Sequence, residues 1–428
     1  MPSPGLAVRL LAPAALALAA LGARGAAAQE LQLWSHWADH ETKVQFVEEA
    51  VRRFEEQHPD ATVKIAWYQK PPLQAALAAS LRAGAGPDVF YCEPSWSEYV
   101  DSGFLHPLDD IVDWSNVEDW ARNSWTFNGA TYGLPLEVST VEMYYNKDTL
   151  AELGIELPES KQLDQEAFEA LVAKAADAGI TPIVQGVGDR PYPGAYLLHE
   201  MLLKKLGEDD YGKLMTGKLS FKDPRVVDSF QFVKDLVDMG AYPKSFSTLK
   251  LGESHYYFHT NPGGLLFPMG SWYTSRAFNP SDKGGQPEDF PLGIMQFPVP
   301  DDAACPECET INVAGSYCVN ADSERPELAG ALLSEMATPE MGTKWLTTVL
   351  VQTGVKSDPS AISGKYKPYF DELTEINRDA DYFVGAPLDF MKGQCGETFT
   401  QVMNAAFPAG QLSVEQATDM MDAACYEG

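Results

Sequence analysis

Two hydrophobic periods alternate along this chain, and that alternation restricts the fold more than any other feature. Residues 31–34 (Leu-Gln-Leu-Trp) read as a short strand. Over 43–57 the apolar positions Val44, Phe46, Val47, Ala50, Val51 and Phe54 fall at helical spacing, and Pro59 ends the run. Residues 61–67 alternate, with Val63, Ile65 and Trp67 on one face. Residues 73–83 form an Ala/Leu helix closed by Gly84, and 88–92 a third strand. Strand, helix, strand, helix, strand opens a doubly wound α/β sheet. A second set follows, with strands at 143–146, 181–185, 263–268, 292–297 and 311–319 and helices at 165–178, 196–206 and 226–239. Beyond Glu327 the pattern is mostly helical, at 327–337, 339–349, 366–376, 397–406 and 413–425. No repeat and no flexible linker separates the two sets, so they are expected to share more than one chain crossing or to pack tightly.

The N-terminus reads as an address. Arg9 precedes an apolar run at 10–21, and Ala26-Ala27-Ala28 suits signal peptidase. The run is too short for a bilayer core of ~30 Å. Cleavage before Gln29 is expected, giving a soluble chain exported to the periplasm. No cysteine near that point suggests a lipid anchor. The 428 residues carry 31 Lys plus Arg against 61 Asp plus Glu, a formal charge of −30. Such a chain repels phosphate backbones and anionic membrane faces, so nucleic acid is excluded as a partner. In an exported protein the six cysteines suggest disulfides. Cys395 and Cys425 bracket two helical patterns that read as an antiparallel hairpin, and are expected to pair. Cys305-Pro306-Glu307-Cys308 resembles half of a zinc knuckle with no second half, so a disulfide is favoured over a metal.

The motifs along the chain fall in a familiar order: Leu33-Trp34-Ser35-His36-Trp37, Gly86-Pro87-Asp88-Val89-Phe90, Gly133-Leu134-Pro135-Leu136-Glu137, Met143-Tyr144-Tyr145-Asn146-Lys147-Asp148, Met269-Gly270-Ser271-Trp272, Phe297-Pro298 and Gly315-Ser316-Tyr317. In this order the chain resembles the extracellular solute-binding proteins of ABC sugar importers, the group that includes maltose-binding protein. It departs from them at 157–161, in the cysteine-bearing loop 301–310 and at 353–356. The resemblance implies a type II periplasmic-binding-protein fold, α/β, with two doubly wound domains closing like a flytrap on a ligand in the cleft between them. It places chain crossings at 138–140, 296–300 and 353–356. The lobes would then be 29–138 with 297–353 and 139–296 with 354–428. It further implies a monomer that delivers a carbohydrate to ABC permease subunits, with no cofactor and no catalysis.

Sugars are recognised by flat aromatic faces over their C–H surfaces and by carboxylates or amides at their hydroxyls. Residues of both kinds follow the predicted strands, where ligands bind in doubly wound sheets. They are His36 and Trp37 after the first strand, Tyr68 and Gln69 after the second, and Glu93 and Trp96 after the third. Glu137 lies at a crossing, where a hinge salt bridge is its alternative role, and Tyr192 lies in a loop. The family motifs add Gly270, Trp272 and Gly315. Trp34 and Trp67 lie within strands and are expected in the core. His255 and His259 have a helical metal spacing, but Tyr256 stands where a zincin needs its glutamate. No Gly-x-Ser-x-Gly elbow and no Walker motif occurs. The alternatives are a secreted carbohydrate-active enzyme such as a glycosidase or lyase, and a binding protein for a polyol or other polar osmolyte. The acidic charge is also compatible with a polyamine.

Overall fold

The computed structural model describes residues 1, 29–190, 192–260 and 263–427. The export segment expected at 1–28 lies outside the described residues apart from Met1. The strands in chain order are β1 (Gln29–Ser35), β2 (Ala61–Trp67), β3 (Val89–Cys92), β4 (Thr126–Phe127), β5 (Ala130–Thr131), β6 (Gly133–Pro135), β7 (Val138–Asn146), β8 (Thr181–Ile183), β9 (Gly264–Gly270), β10 (Leu292–Met295), β11 (Cys308–Val313), β12 (Ser316–Val319) and β13 (Asp381–Val384). They form two separate sheets plus the small β4–β5 hairpin. The first sheet has the order β2-β1-β3-β12-β6, and the second β13-β11-β7-β9-β8 with β10 also on β7.

In the first sheet β1 pairs in parallel with both β2 and β3, so helices must cross over between them. The helix Glu41–Gln57 turns Phe46, Val47, Ala50 and Phe54 inward, and Lys70–Arg82 contributes Leu73, Leu77 and Leu81. These side chains meet Leu31, Leu33, Val89 and Phe90 of the sheet. The second sheet is built on β7, whose nine residues pair antiparallel with β9 on one edge and with β11 and β10 on the other. The helices Gln165–Asp177, Tyr196–Met215 and Pro224–Asp238 pack Phe168, Leu202 and Phe230 into its core. The helix expected at 196–206 continues to Met215 across Gly207, whose φ of 72° interrupts the helical geometry. No described helix is long and apolar enough to cross a membrane.

Two expectations about the chain path are corrected. The single strand read at 311–319 is two strands in different sheets, β11 and β12, broken at Ala314-Gly315. The return crossing therefore lies there and not at 296–300. Residues 297–313 belong with the second sheet: Val299 N donates to Leu163 O at 2.9 Å, and β11 pairs with β7 and β13. Hydrophobicity continues through the crossing, so period alone does not mark it. The third crossing runs further along the chain than expected. Val355 is buried in the first core and Lys356 N donates to Asn116 O, whereas Ile362 joins a core with Tyr369 and Phe370. Gln352 and Thr353 bond to the first crossing, and the chain completes its passage between Lys356 and Ile362.

All six cysteines are paired. Cys92–Cys318 ties β3 to β12, Cys305–Cys308 closes the loop before β11, and the expected Cys395–Cys425 joins the helices Gly393–Gln401 and Val414–Cys425. Cys395–Cys425 closes a loop with a sequence separation of 30. By the chain-entropy argument, Cys395→Ser with Cys425→Ser should lower the unfolding free energy by about 3.5 kcal/mol in a urea titration. Non-reducing peptide mapping of the unaltered protein should return the three linkages and no free thiol.

Candidate functional site

The crossings bring the ends of both sheets around a cavity of ≈ 210 Å³. From the first sheet, the turn after β1 supplies His36 and His40, and the helix that follows supplies Lys43. Beyond β3 comes Glu93, with Lys70 from the start of its helix beside it. From the second, the segment after β8 supplies Arg190, Tyr192, Tyr196 and His199, while the segment after β9 supplies Trp272 and Arg276. Glu137 and Ser139 stand on the outgoing crossing, and Thr310, Asn312 and Ala314 on β11 and the return crossing.

Charge is arranged closely here. Lys43 Nζ lies 2.5 Å from Glu137 Oε2, and both are buried. Lys70 pairs with Glu93 Oε1, which also accepts the Tyr91 hydroxyl. Among the described residues the second oxygen of each glutamate has no hydrogen-bond donor, so each keeps one acceptor for a ligand hydroxyl. Burial pushes the Lys43 ammonium down, with Glu137 opposing it. Burial acts in the same direction on Lys70, but Glu93 and Tyr192 together outweigh it and the ammonium is raised. Burial, then Lys70 and Lys43, hold His36 well below its usual value, so the imidazole is neutral. Burial takes His199 down to about 3 and Asp389 up to about 6.

Trp272 forms an aromatic wall. Its ring lies 6.4 Å from Tyr192 edge-on and 5.5 Å from His255 behind it. Gly270 makes that placement possible, because a Cβ there would sit 2.1 Å from the indole Nε1. His255 and His259 are both buried in the helix Leu251–His259, where they pack as aromatic rings. His259 Nδ1 lies 3.0 Å from the Tyr273 hydroxyl. The sulfurs of Cys305 and Cys308 are bonded to each other and so are not thiolate ligands.

Of the residues expected at the site, His36, Glu93, Glu137, Tyr192 and Trp272 line the cavity. Trp37 does not; it is fully buried, with ring centroids 5.6 Å from Tyr91, 5.5 Å from Tyr317 and 5.4 Å from Trp345. Trp96 is likewise buried, against Tyr91 and Tyr99. Tyr68 packs on Trp34 at 5.3 Å, and Gln69 is exposed at the start of its helix. Gly270 and Gly315 act from behind the wall. A Cβ on Gly315 would lie 2.9 Å from Trp37 and 3.0 Å from Glu137. The sequence reading missed Lys43, Lys70, Arg190 and Arg276. For Lys43 a signal existed: with Phe46, Val47 and Ala50 it occupies the helix's buried stripe, where a lysine requires a partner.

The chain belongs to the bacterial extracellular solute-binding protein family, whose sequence profile matches residues 49–356. It is similar to the lactose-binding protein of Rhizobium radiobacter, with 26% identity over 43% of this chain and 48% of that one. It is also similar to the arabinooligosaccharide-binding protein of Bacillus subtilis, with 26% identity over 83% of this chain and 78% of that one. The chain spans about half or less of the length of several other curated relatives it matches. Among solved structures, a chitin oligosaccharide binding protein superposes with a TM-score of 0.80 at 21% identity, covering 92% of this chain and 97% of that one. That likeness shows the two-domain periplasmic-binding-protein fold.

Removing one member of the Lys43–Glu137 pair leaves a buried charge without compensation. Lys43→Met should therefore cost about 3–5 kcal/mol in urea unfolding. Adding Glu137→Gln should restore part of that loss. A single variant as stable as the parent would show that the pair is not buried as described.

Proposed function

We propose that this protein is the periplasmic substrate-binding component of an ABC importer, capturing a sugar or small oligosaccharide by hinge closure and delivering it to membrane permease subunits. One observation carries the reading: a single cavity is lined from the strand ends of both sheets, with Glu137 and Ala314 on the crossings between them. A ligand there touches both halves, and only the closed form makes both sets of contacts, so ligand selects closure. The lining suits sugars. Trp272 and Tyr192 offer ring faces, and Glu93, Glu137, Asn312 and Asn404 offer hydroxyl partners. Membership of an extracellular family supports export, and the lactose- and arabinooligosaccharide-binding relatives support a carbohydrate.

The proposed lobes are residues 29–137 with 314–356, and 138–313 with 362–427, following the sheets and cores. The protein acts as a monomer without turnover. Each cavity glutamate is tied to a lysine, an arrangement suited to accepting hydroxyls. Trp272→Ala should weaken binding of the best sugar by about 2 kcal/mol or more in titration calorimetry. Saturating sugar should make the particle more compact in small-angle scattering and should be recovered intact. An unchanged scattering curve would overturn closure, and consumption of the sugar would replace binding with catalysis.

A further inference from the structure

The cavity has a charge pattern opposite to that of the molecule around it. Acids outnumber bases 61 to 31 in the chain, yet the lining holds four fixed cations, Lys43, Lys70, Arg190 and Arg276, against the carboxyls of Glu93, Glu137 and Asp389. The internal pairings use up most of the acids. Glu137 is taken by Lys43 and Glu93 by Lys70. Asp389 accepts the amide of Ala386 at 2.7 Å, and Lys392 opposes the upward push of burial on its carboxyl. Arg276 reaches Asp39 at 3.4 Å and His40 Nε2 at 3.1 Å. Arg190 has no carboxylate partner among the described residues, although it lines the cavity and is partly buried. Its charge adds a small, last contribution to the lowering of His36, His40 and His255, behind burial and nearer cations.

We propose that the ligand is an acidic sugar, a uronic acid or an oligosaccharide bearing one, with its carboxylate held by Arg190. This inference rests on the sugar-binding reading above. A guanidinium does not shed its proton, and closing the cavity on a neutral sugar would leave it with the neutral Tyr192 hydroxyl and no counter-charge. A carboxylate removes that penalty and matches the planar fork with two parallel N–H···O bonds. Tyr192 and Trp272 then cover the ring, and the open oxygens of Glu93 and Glu137 take its hydroxyls. A polyamine, compatible with the overall charge, would meet four cations here and is disfavoured. The molecule's own negative field does not prevent entry, because solvent screens it over about 8 Å at physiological ionic strength.

The test uses the mature protein and titration calorimetry with galacturonate, glucuronate and digalacturonate, each against its carboxyl-reduced neutral counterpart, and with a galactose sulfate ester. At least one acid should bind about tenfold or more tightly than its reduced form. That ratio should collapse in Arg190→Gln, recover in part in Arg190→Lys and shrink at high salt. Thermal melts of both variants report their folding. Binding of neutral sugars with equal or better affinity would overturn the inference and leave the sugar reading standing, as would an acid preference that survives Arg190→Gln. Binding of the sulfate ester alone would replace the carboxylate. Failure of every acidic and neutral sugar to bind would overturn both readings.

Discussion

The structure depends on three stretches of backbone that bond to one another where the chain passes between its sheets. Leu136 N and Glu137 N both donate to Gly315 O, at 3.1 and 2.8 Å, and Ala314 N donates to Glu137 O at 2.9 Å. Val138 N donates to Gln352 O at 3.1 Å, which adds the third stretch. These groups are buried and would be costly to leave unpaired. The three stretches therefore behave as one narrow connection and not as three independent tethers. Gly315 is needed because its neighbours leave no room for a Cβ. The Lys43–Glu137 pair anchors the same point to the first sheet's helix. A connection built this way permits rotation about a few residues while each sheet keeps its own core.

Most of the fold was legible because its elements have clean periods. The β1–β3 unit, the helices on it and the Cys395–Cys425 hairpin follow from spacing and capping alone. What escaped was decided by tertiary context. β11 and β12 read as one strand because both are apolar, and their separation is fixed by pairing with β7 and β3 respectively. Trp37 and Trp96 follow strand ends, as ligand-binding aromatics do, but each is drawn into the cluster around Tyr91. Trp272 escapes that fate because Gly270 leaves it space to stand at the cavity wall. The cations were missed for a different reason. Lysine and arginine are usually solvated, and nothing local to Arg190 or Lys70 distinguishes them from surface residues.

The β11 wall of the cavity is held by a buried network. Glu200, which burial raises to about 7, accepts the hydroxyl and amide of Thr310. One turn along the same helix, Lys204 Nζ donates at 2.8 Å to the carbonyls of both Pro306 and Cys308. Cys305 N in turn donates to Lys204 O at 3.0 Å. The helix Tyr196–Met215 thus grips the disulfide-closed loop and the start of β11. That strand runs straight to Asn312 in the cavity and Ala314 on the crossing. A loop with two cysteines is in this way connected to the cavity's geometry without lining it. It fixes the register of β11, and a shift of one residue would turn Thr310 and Asn312 to the opposite face. Side chains on this wall are positioned before a ligand arrives. Arg190 and Tyr192 lie in the segment between β8 and the helix Tyr196–Met215, outside the regular sheet. That segment is held by its own contacts, since Asp189 Oδ1 accepts the Leu251 amide at 2.8 Å and Gly194 lies too close to Asn404 O to admit a Cβ, so the charged part of the lining is placed by the loop and the neutral part by the strand.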